Sequence, residues 1–174
     1  MERAVVTSDG GTGSFGKKFV EIMVRGCQPR RLVIFSRDEV KQREMKASGF
    51  DHPSIQYFVG DVRDASSLER ALAGVTIVIH AAAIKDIRIC ENSPFEAIQT
   101  NIIGCRNIVN ASVGQQATRI LLSAPTRRST RLVFTAPQSA VVRRCLCRRM
   151  RLGAKANPGF VAFVMELFWA PAEA

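Results

Sequence analysis

The sequence predicts an α/β domain on a doubly wound parallel sheet, confined to residues 1–122 of a 174-residue chain. Three observations lead there. Five short β-rich runs alternate with runs of helical period. A glycine cluster sits between the first strand pattern and the first helix pattern. The fourth strand run is apolar nearly throughout, as a strand covered on both faces should be.

The elements follow in order. Arg3–Thr7, carrying Ala4, Val5 and Val6, reads as the first strand. Phe15, Phe19, Ile22 and Met23 recur at helical spacing and predict a helix over Ser14–Arg25. Arg31–Phe35 is the second strand. Ser36 with Glu39 three residues on forms a capping-box pattern, opening a helix that runs to about Ala47. Ile55–Val59 is the third strand. Asp64 caps a short helix with Leu68, Ala71 and Leu72 turned inward, and Gly74 stops it. Val75–Ile79 is the fourth strand. Ser93-Pro94-Phe95-Glu96 is a second capping box with proline at the first helical position. The helix it opens carries Phe95, Ile98, Ile102, Cys105, Val109 and Val113 on one stripe, and Arg119–Leu122 is the fifth strand.

After Ser123 this pattern breaks. Arginine pairs at 127–128, 143–144 and 148–149 interrupt any apolar stripe. Strand signal is limited to Leu132–Phe134 and Ala140–Val142, and Phe160–Trp169 is apolar without clear caps. Two regions are therefore expected: a nucleotide-binding domain over 1–122 and an irregular basic tail over 123–174. Charge divides the same way, with 16 Lys/Arg against 13 Asp/Glu before residue 123 and 9 against 2 after it.

Composition narrows the class. No apolar run reaches 18 residues, so no membrane span is expected. Met1-Glu2-Arg3 leads directly into a strand pattern rather than the apolar core of a signal peptide, and a cytoplasmic protein is the simplest expectation. The cysteines number five, with no C-x-x-C pair; Cys145 and Cys147 lack further ligands nearby. Neither a disulfide framework nor a metal site is expected.

The chemistry concentrates at strand ends. Gly10, Gly13 and Gly16 give G-x-x-G-x-x-G, and Gly11 begins a G-x-G-x-x-G, each between a strand and a helix. Such glycines let backbone approach a pyrophosphate, and the helix N-terminus offers amide donors. In this setting the motif reads as a Rossmann dinucleotide site. An acid near the end of the second strand would mark NAD. Here Ser36-Arg37-Asp38 stands there, and arginine suits the 2′-phosphate of NADP. Asp61, after the third strand, can accept from an adenine amine. Ala81, Ala82 and Ala83 leave room for a cofactor, and Lys85 can reach a phosphate or sugar. His80 reads as a packed strand-end histidine with no catalytic role.

These residues carry a resemblance. Thr12–Phe19, Phe35–Glu39, Gly60–Asp64, His80–Lys85 and Asn92–Asn101 are similar to the corresponding blocks of the soluble UDP-N-acetylglucosamine 4,6-dehydratases. These are extended short-chain dehydrogenase/reductases of the polysaccharide-biosynthesis group, and the inverting branch, which opens pseudaminic acid synthesis, is the nearest in pattern. One departure stands at the start: Ser8-Asp9 intervene between Thr7 and the glycines, where the family reads Thr-Gly-Gly-Thr-Gly.

The resemblance implies a lyase that holds NADP tightly and acts on a UDP-N-acetylglucosamine-type nucleotide sugar. NADP⁺ oxidises C4, water is lost across C5 and C6, and the hydride returns to C6. It implies a cofactor site of Gly10, Thr12, Gly13, Ser14, Phe15, Gly16, Ser36, Arg37, Asp38, Lys41, Asp61, Val62, Ala81, Ala82 and Lys85, with Lys85 and Asn101 toward the substrate. It also implies a homo-oligomer in the parent family.

The family's catalytic residues follow the fifth strand, in Ser-Thr-Asp-Lys and Tyr-x-x-x-Lys stretches. This chain has neither: its one tyrosine is Tyr57, and its one lysine after residue 122 is Lys155. No catalytic residue is assigned, and an inactive fragment is expected. Permitted codons for Ser123–Gln138, read from the third base, can spell Ser-Thr-Asp-Lys-Ala-Val-Asn-Pro-Ala-Gly-Leu-Tyr-Gly-Ala-Thr-Lys. The tail thus reads as frameshifted, and its charge as a by-product of the altered frame. The alternative is a non-catalytic NADP(H)-binding regulatory protein whose basic tail contacts a partner. The arginines lack interleaved aromatics, so nucleic acid is not the expected partner.

Overall fold

A computed structural model of the chain describes residues 4–8, 11–81, 83–84, 87–126 and 161–168. Six parallel strands form one sheet in the order β3-β2-β1-β4-β5-β6. They are β1 (Ala4–Ser8), β2 (Arg31–Ser36), β3 (Ile55–Val59), β4 (Ile77–His80), β5 (Arg119–Thr126) and β6 (Val161–Phe168). The helices are α1 (Ser14–Ile22), α2 (Glu39–Ala47), α3 (Ala65–Ala71), α4 (Ile87–Asn92), α5 (Pro94–Ile98) and α6 (Cys105–Gly114). Strand order reverses between β1 and β4, which is the doubly wound architecture the sequence predicts.

Alternate strand residues divide between two cores, as a period of two requires. Val33, Phe35, Val78, Ile120 and Leu122 pack with Leu68 and Ala71 of α3 and with Ile108 and Val109 of α6. Leu32, Ile34 and Ile79 pack on the other face with Val20 of α1 and Met45 of α2. All lie between 0% and 7% exposed.

Several boundaries differ from expectation. The α2 N-cap is Asp38, whose Oδ1 accepts from Lys41 N at 3.0 Å; Ser36 still belongs to β2, and its Oγ accepts from Asp38 N at 3.2 Å. The two oxygens are close in sequence, and the helix takes the one with extended backbone next to its first turn. Strand β4 starts at Ile77 rather than Val75, and β5 runs on to Thr126. The helix after β1 turns at Met23–Cys27 into a π-turn, closed by Gln28 in the left-handed region at φ 43°.

The helix expected from Pro94 is interrupted. A π-turn at Gln99–Gly104 lies between α5 and α6. A π-turn takes in a surplus residue, so a stripe counted at 3.6 residues per turn does not continue through it. Cys105 and Val109 are buried as expected, whereas Phe95 is 79% exposed and Ala97 is buried instead. Helix α4 was not expected at all.

The tail supplies one strand. Residues 161–168 pair with Arg119–Thr126 over their full length, so β5 is an interior strand of the sheet. The strand signals at Leu132–Phe134 and Ala140–Val142 lie outside the described residues.

Asp64 caps α3 as expected. Its Oδ1 accepts from Ser66 N and its Oδ2 from Ser67 Oγ. The hydroxyls of Ser67 and then Ser66 hold the carboxyl below its ordinary 3.8, at about 2. A depressed folded-state value means the contribution is whole above 3.8 and fades as pH falls toward 2. Asp64→Asn is expected to flatten that segment of the stability–pH curve, measured by thermal melts from pH 2 to 6.

Candidate nucleotide site

A cleft of about 210 Å³ is lined by Thr12, Ser36, Arg37, Asp38, Lys41, Ala83, Ile84 and Thr100. Its walls come from the turn before α1, the β2–α2 junction, the loop after β4 and the π-turn. This is the crevice beyond the strand carboxyl ends where the order reverses, the usual ligand position in open α/β sheets.

The turn side is built from backbone. Gly13 is the N-cap of α1, with extended geometry and no side chain to cap the helix. Lys17 N donates to Gly13 O at 2.9 Å, and the amides of Ser14, Phe15 and Gly16 precede the first intrahelical bond. Gly16 is buried, while Phe15 lies 43% exposed and stacks on Phe19 with centroids 6.2 Å apart.

The β2 end is cationic. Asp38 is drawn into its own helix: beyond the bond from Lys41 N, its Oδ2 lies 3.2 Å from Lys41 Nζ. The Lys41 amide, outweighing burial, keeps this carboxyl below its usual range. Asp38 thus serves as the helix cap, with Lys41 engaging both of its carboxylate oxygens. Arg37, Lys41 and the Ser36 hydroxyl share the same wall.

Asp61 and Val62 follow β3. Burial raises the Asp61 carboxyl, but hydrogen bonds from Arg63 outweigh it and, with the charge of Arg37, hold it low. Val62 is fully buried in the core and does not line the cleft. Its side chain sits where helix and loop approach closely: a Cβ on Gly104 would lie 2.6 Å from Val62 Cγ2. Asn107 Nδ2 secures the loop by donating to Val62 O and Arg63 O at 3.2 and 2.9 Å.

Asn101 is buried, and its amide is engaged by one residue. Its Oδ1 accepts from Ile84 N at 2.8 Å, and its Nδ2 donates to Ile84 O at 3.1 Å. It therefore holds the loop after β4 rather than presenting its amide to the cleft. His80 is fully buried at the end of β4, and burial pushes its imidazole down to about 4, so it is neutral at neutral pH. Tyr57 donates its hydroxyl to Phe50 O at 3.0 Å, and burial with the charge of Asp51 raises it to about 12. Its packing in the α1–α2 core gives it no access to the cleft.

The cleft thus gathers Thr12, Ser36, Arg37, Asp38 and Lys41 from the expected set. Gly13, Ser14, Phe15 and Gly16 form the adjoining helix mouth, and Ala81 begins the loop that carries Ala83 and Ile84. Gly10, Ala82 and Lys85 lie outside the described residues. Thr100 was missed. It is 2% exposed, and its Oγ1 is buried without a hydrogen-bond partner while lining the cleft. Its place next to Asn101, itself in the expected set, was the one available signal. Among the described residues there is no cluster suited to a metal ion, and no helix long and apolar enough to cross a membrane.

Comparison with known proteins agrees with this geometry. Two Campylobacter jejuni proteins named UDP-N-acetylglucosamine 4,6-dehydratase (inverting) are 49% and 46% identical over 102 residues, covering 59% of this chain and 30% of each relative. A Rickettsia massiliae UDP-glucose 4-epimerase is 38% identical over 116 residues, 65% of this chain and 34% of that protein. The chain spans about a third of the length of these relatives. Among solved structures, Pen from Bacillus thuringiensis aligns with TM-score 0.81 at 25% identity, covering 94% of this chain and 50% of that one. The dTDP-glucose 4,6-dehydratase DesIV from Streptomyces venezuelae, solved with NAD and TYD, shares the fold at TM-score 0.68 and 21% identity, covering 93% and 54%. The model of the polysaccharide biosynthesis protein family matches residues 5–126, and the chain belongs to that family.

Proposed function

We propose that this chain is the NADP(H)-binding part of an inverting UDP-N-acetylglucosamine 4,6-dehydratase, a cytoplasmic nucleotide-sugar enzyme, and that it is catalytically silent as it stands. The observation that carries the cofactor reading is Arg37 beside Ser36 on the cleft wall, with Asp38 and Lys41 paired to each other next to it. A ribose diol needs a carboxylate acceptor; a 2′-phosphate needs donors and positive charge, which is what this wall offers. The buried, unpartnered hydroxyl of Thr100 supports a polar ligand in the same cleft, because such a group is costly unless something bonds to it.

In this reading the first-turn amides of α1 hold the pyrophosphate, Arg37 and Lys41 the 2′-phosphate, and Asp61 the adenine amine. Thr12 and Thr100 line the middle of the cleft, with Ala81, Ala82 and Lys85 toward the nicotinamide and Lys85 toward the sugar. Bound NADP⁺ supplies the hydride acceptor for the sugar's C4. The chain's own contribution is to bind and orient. Among the described residues Tyr57 is committed to Phe50 O and His80 is enclosed, so neither is placed to act as base for the C4 hydroxyl. The tail is read as frameshifted from Ser123, which resequencing the DNA across codons 114–140 tests directly.

Fluorescence titration of the full chain tests the cofactor reading. NADPH is expected to bind at least about tenfold more tightly than NADH, one or two charge-assisted hydrogen bonds' worth. Arg37→Ala is expected to remove most of that preference while leaving NADH binding unchanged. Equal affinity for both dinucleotides in the unaltered chain refutes NADP selectivity. Incubation with UDP-N-acetylglucosamine and NADP⁺ is expected to give no dehydrated product; turnover refutes the silent reading.

A further inference from the structure

Beside the cleft an ionic clamp joins the loop after β3 to the start of α5. Arg63 donates from Nε and Nη2 to Asp61 Oδ2 at 2.9 and 2.7 Å, and its backbone N–H donates to Asp61 Oδ1 at 2.9 Å. On its other side, Nη1 of Arg63 donates to both carboxylate oxygens of Glu96, at 3.1 and 2.9 Å. The guanidinium is a rigid planar fork, so fixing it from two sides fixes the plane of the Asp61 carboxylate as well. Oδ2 receives two donors, which fills it. Among the described residues Oδ1 receives one, and it keeps an acceptor position. Gly60 N donates to Ser36 O at 3.1 Å, which ties this loop to the cleft wall.

We infer that Arg63 is a positioning residue for purine recognition: by locking Asp61 in place as an acceptor-only group, it makes the site select a 6-aminopurine over a 6-oxopurine. The inference rests on the dinucleotide reading and adds to it the origin of base selectivity. A 6-aminopurine offers an N–H at the 6-position. A 6-oxopurine presents an oxygen there and carries its donor one ring position away, at N1. A carboxylate free to swing follows the donor to N1; one clamped by Arg63 meets the oxygen of the 6-oxo group and is repelled. Glu96 contributes through Arg63, by removing the guanidinium's freedom to turn with its partner.

The experiment compares reduced NADP with its hypoxanthine analogue on the full chain, by fluorescence titration. The unaltered chain is expected to favour the adenine form by about tenfold, the value of one charge-assisted hydrogen bond. Arg63→Met is expected to bring the ratio below about twofold, chiefly by strengthening the hypoxanthine form as the freed carboxylate reaches N1–H, with Glu96→Gln falling between. A purely structural role for Arg63 lowers both affinities by one factor and keeps the ratio, and that result overturns the inference. A ratio near one in the unaltered chain overturns it too, while leaving the dinucleotide reading intact. Failure of the unaltered chain to bind either nucleotide overturns the dinucleotide reading and this inference with it. If Arg63→Met does not fold, Glu96→Gln decides alone, since Glu96 is half exposed and its loss leaves no buried charge; an unchanged ratio there counts against the clamp.

Discussion

Phe35→Ala is expected to destabilise the domain by about 3–5 kcal/mol, the usual cost of deleting a buried phenylalanine, and to weaken nucleotide binding in whatever fraction remains folded. Phe35 is fully buried in β2 and belongs to the core shared by α3 and α6. Its ring stacks on Phe58 with centroids 5.9 Å apart. A Cβ on Gly60 would lie 2.6 Å from its edge, so backbone is already pressed against it and the neighbours are fitted to its shape. Removing the ring leaves a cavity next to Ser36, the last residue of the strand, and Arg37, which follows it, both part of the cleft wall. Urea denaturation measures the first effect, and NADPH titration at low denaturant the second. A loss below about 1 kcal/mol shows that the site collapses without cost, contrary to this packing.

Asn101→Leu is expected to cost about 1–3 kcal/mol, because it takes the partner from two partly buried backbone groups of Ile84 at once. The residue keeps its size and loses both bonds to Ile84. The loop after β4 carries Ala83 and Ile84 into the cleft, so the same change is expected to reduce nucleotide affinity beyond what the loss of folded protein explains. Asn101→Asp separates the two bonds. It retains the acceptor for Ile84 N–H but sets a carboxylate oxygen against Ile84 O, and it is expected to rank with the leucine variant at neutral pH. Thermal melts with and without NADPH measure both quantities.

The strands were legible because burial on two faces writes an apolar run that little else imitates, as in Leu32–Phe35 and Ile77–Ile79. The glycine cluster and the basic β2 end were legible because backbone approach and anion binding each demand a particular residue type. Other features left weaker marks. Ser36 and Asp38 are both good caps, and the choice between them depends on where the sheet releases the chain. Thr100 was hidden because it lies among several polar residues of the same segment, Gln99 and Asn101 beside it, and nothing in the spacing singles it out. The exposure of Phe95 could not be read because the count that placed it inward assumed an unbroken α-helix. Strand β6 was hidden because the apolar run at 160–169 lacks the alternation of a strand and follows an arginine-rich stretch; its pairing with β5 identifies it.

The π-turn at 99–104 gives the helix leading to β5 the character of a gear rather than a rod. One α-helical residue is worth 100° of rotation, so the surplus residue sets the azimuth of α5 relative to α6. Upstream of it, the phase aims Glu96 at Arg63; within it, the phase turns Thr100 to the cleft and Asn101 to Ile84. Downstream, α6 keeps the ordinary spacing that buries Cys105, Ile108 and Val109. Loss of a single residue from this turn would leave composition and apolar content nearly untouched. It would swing the three polar groups away from their targets together, so the Arg63 clamp, the cleft wall and the loop after β4 are tied to one angular setting. Length in this segment is therefore constrained more tightly than sequence: many substitutions preserve the setting, and no deletion does.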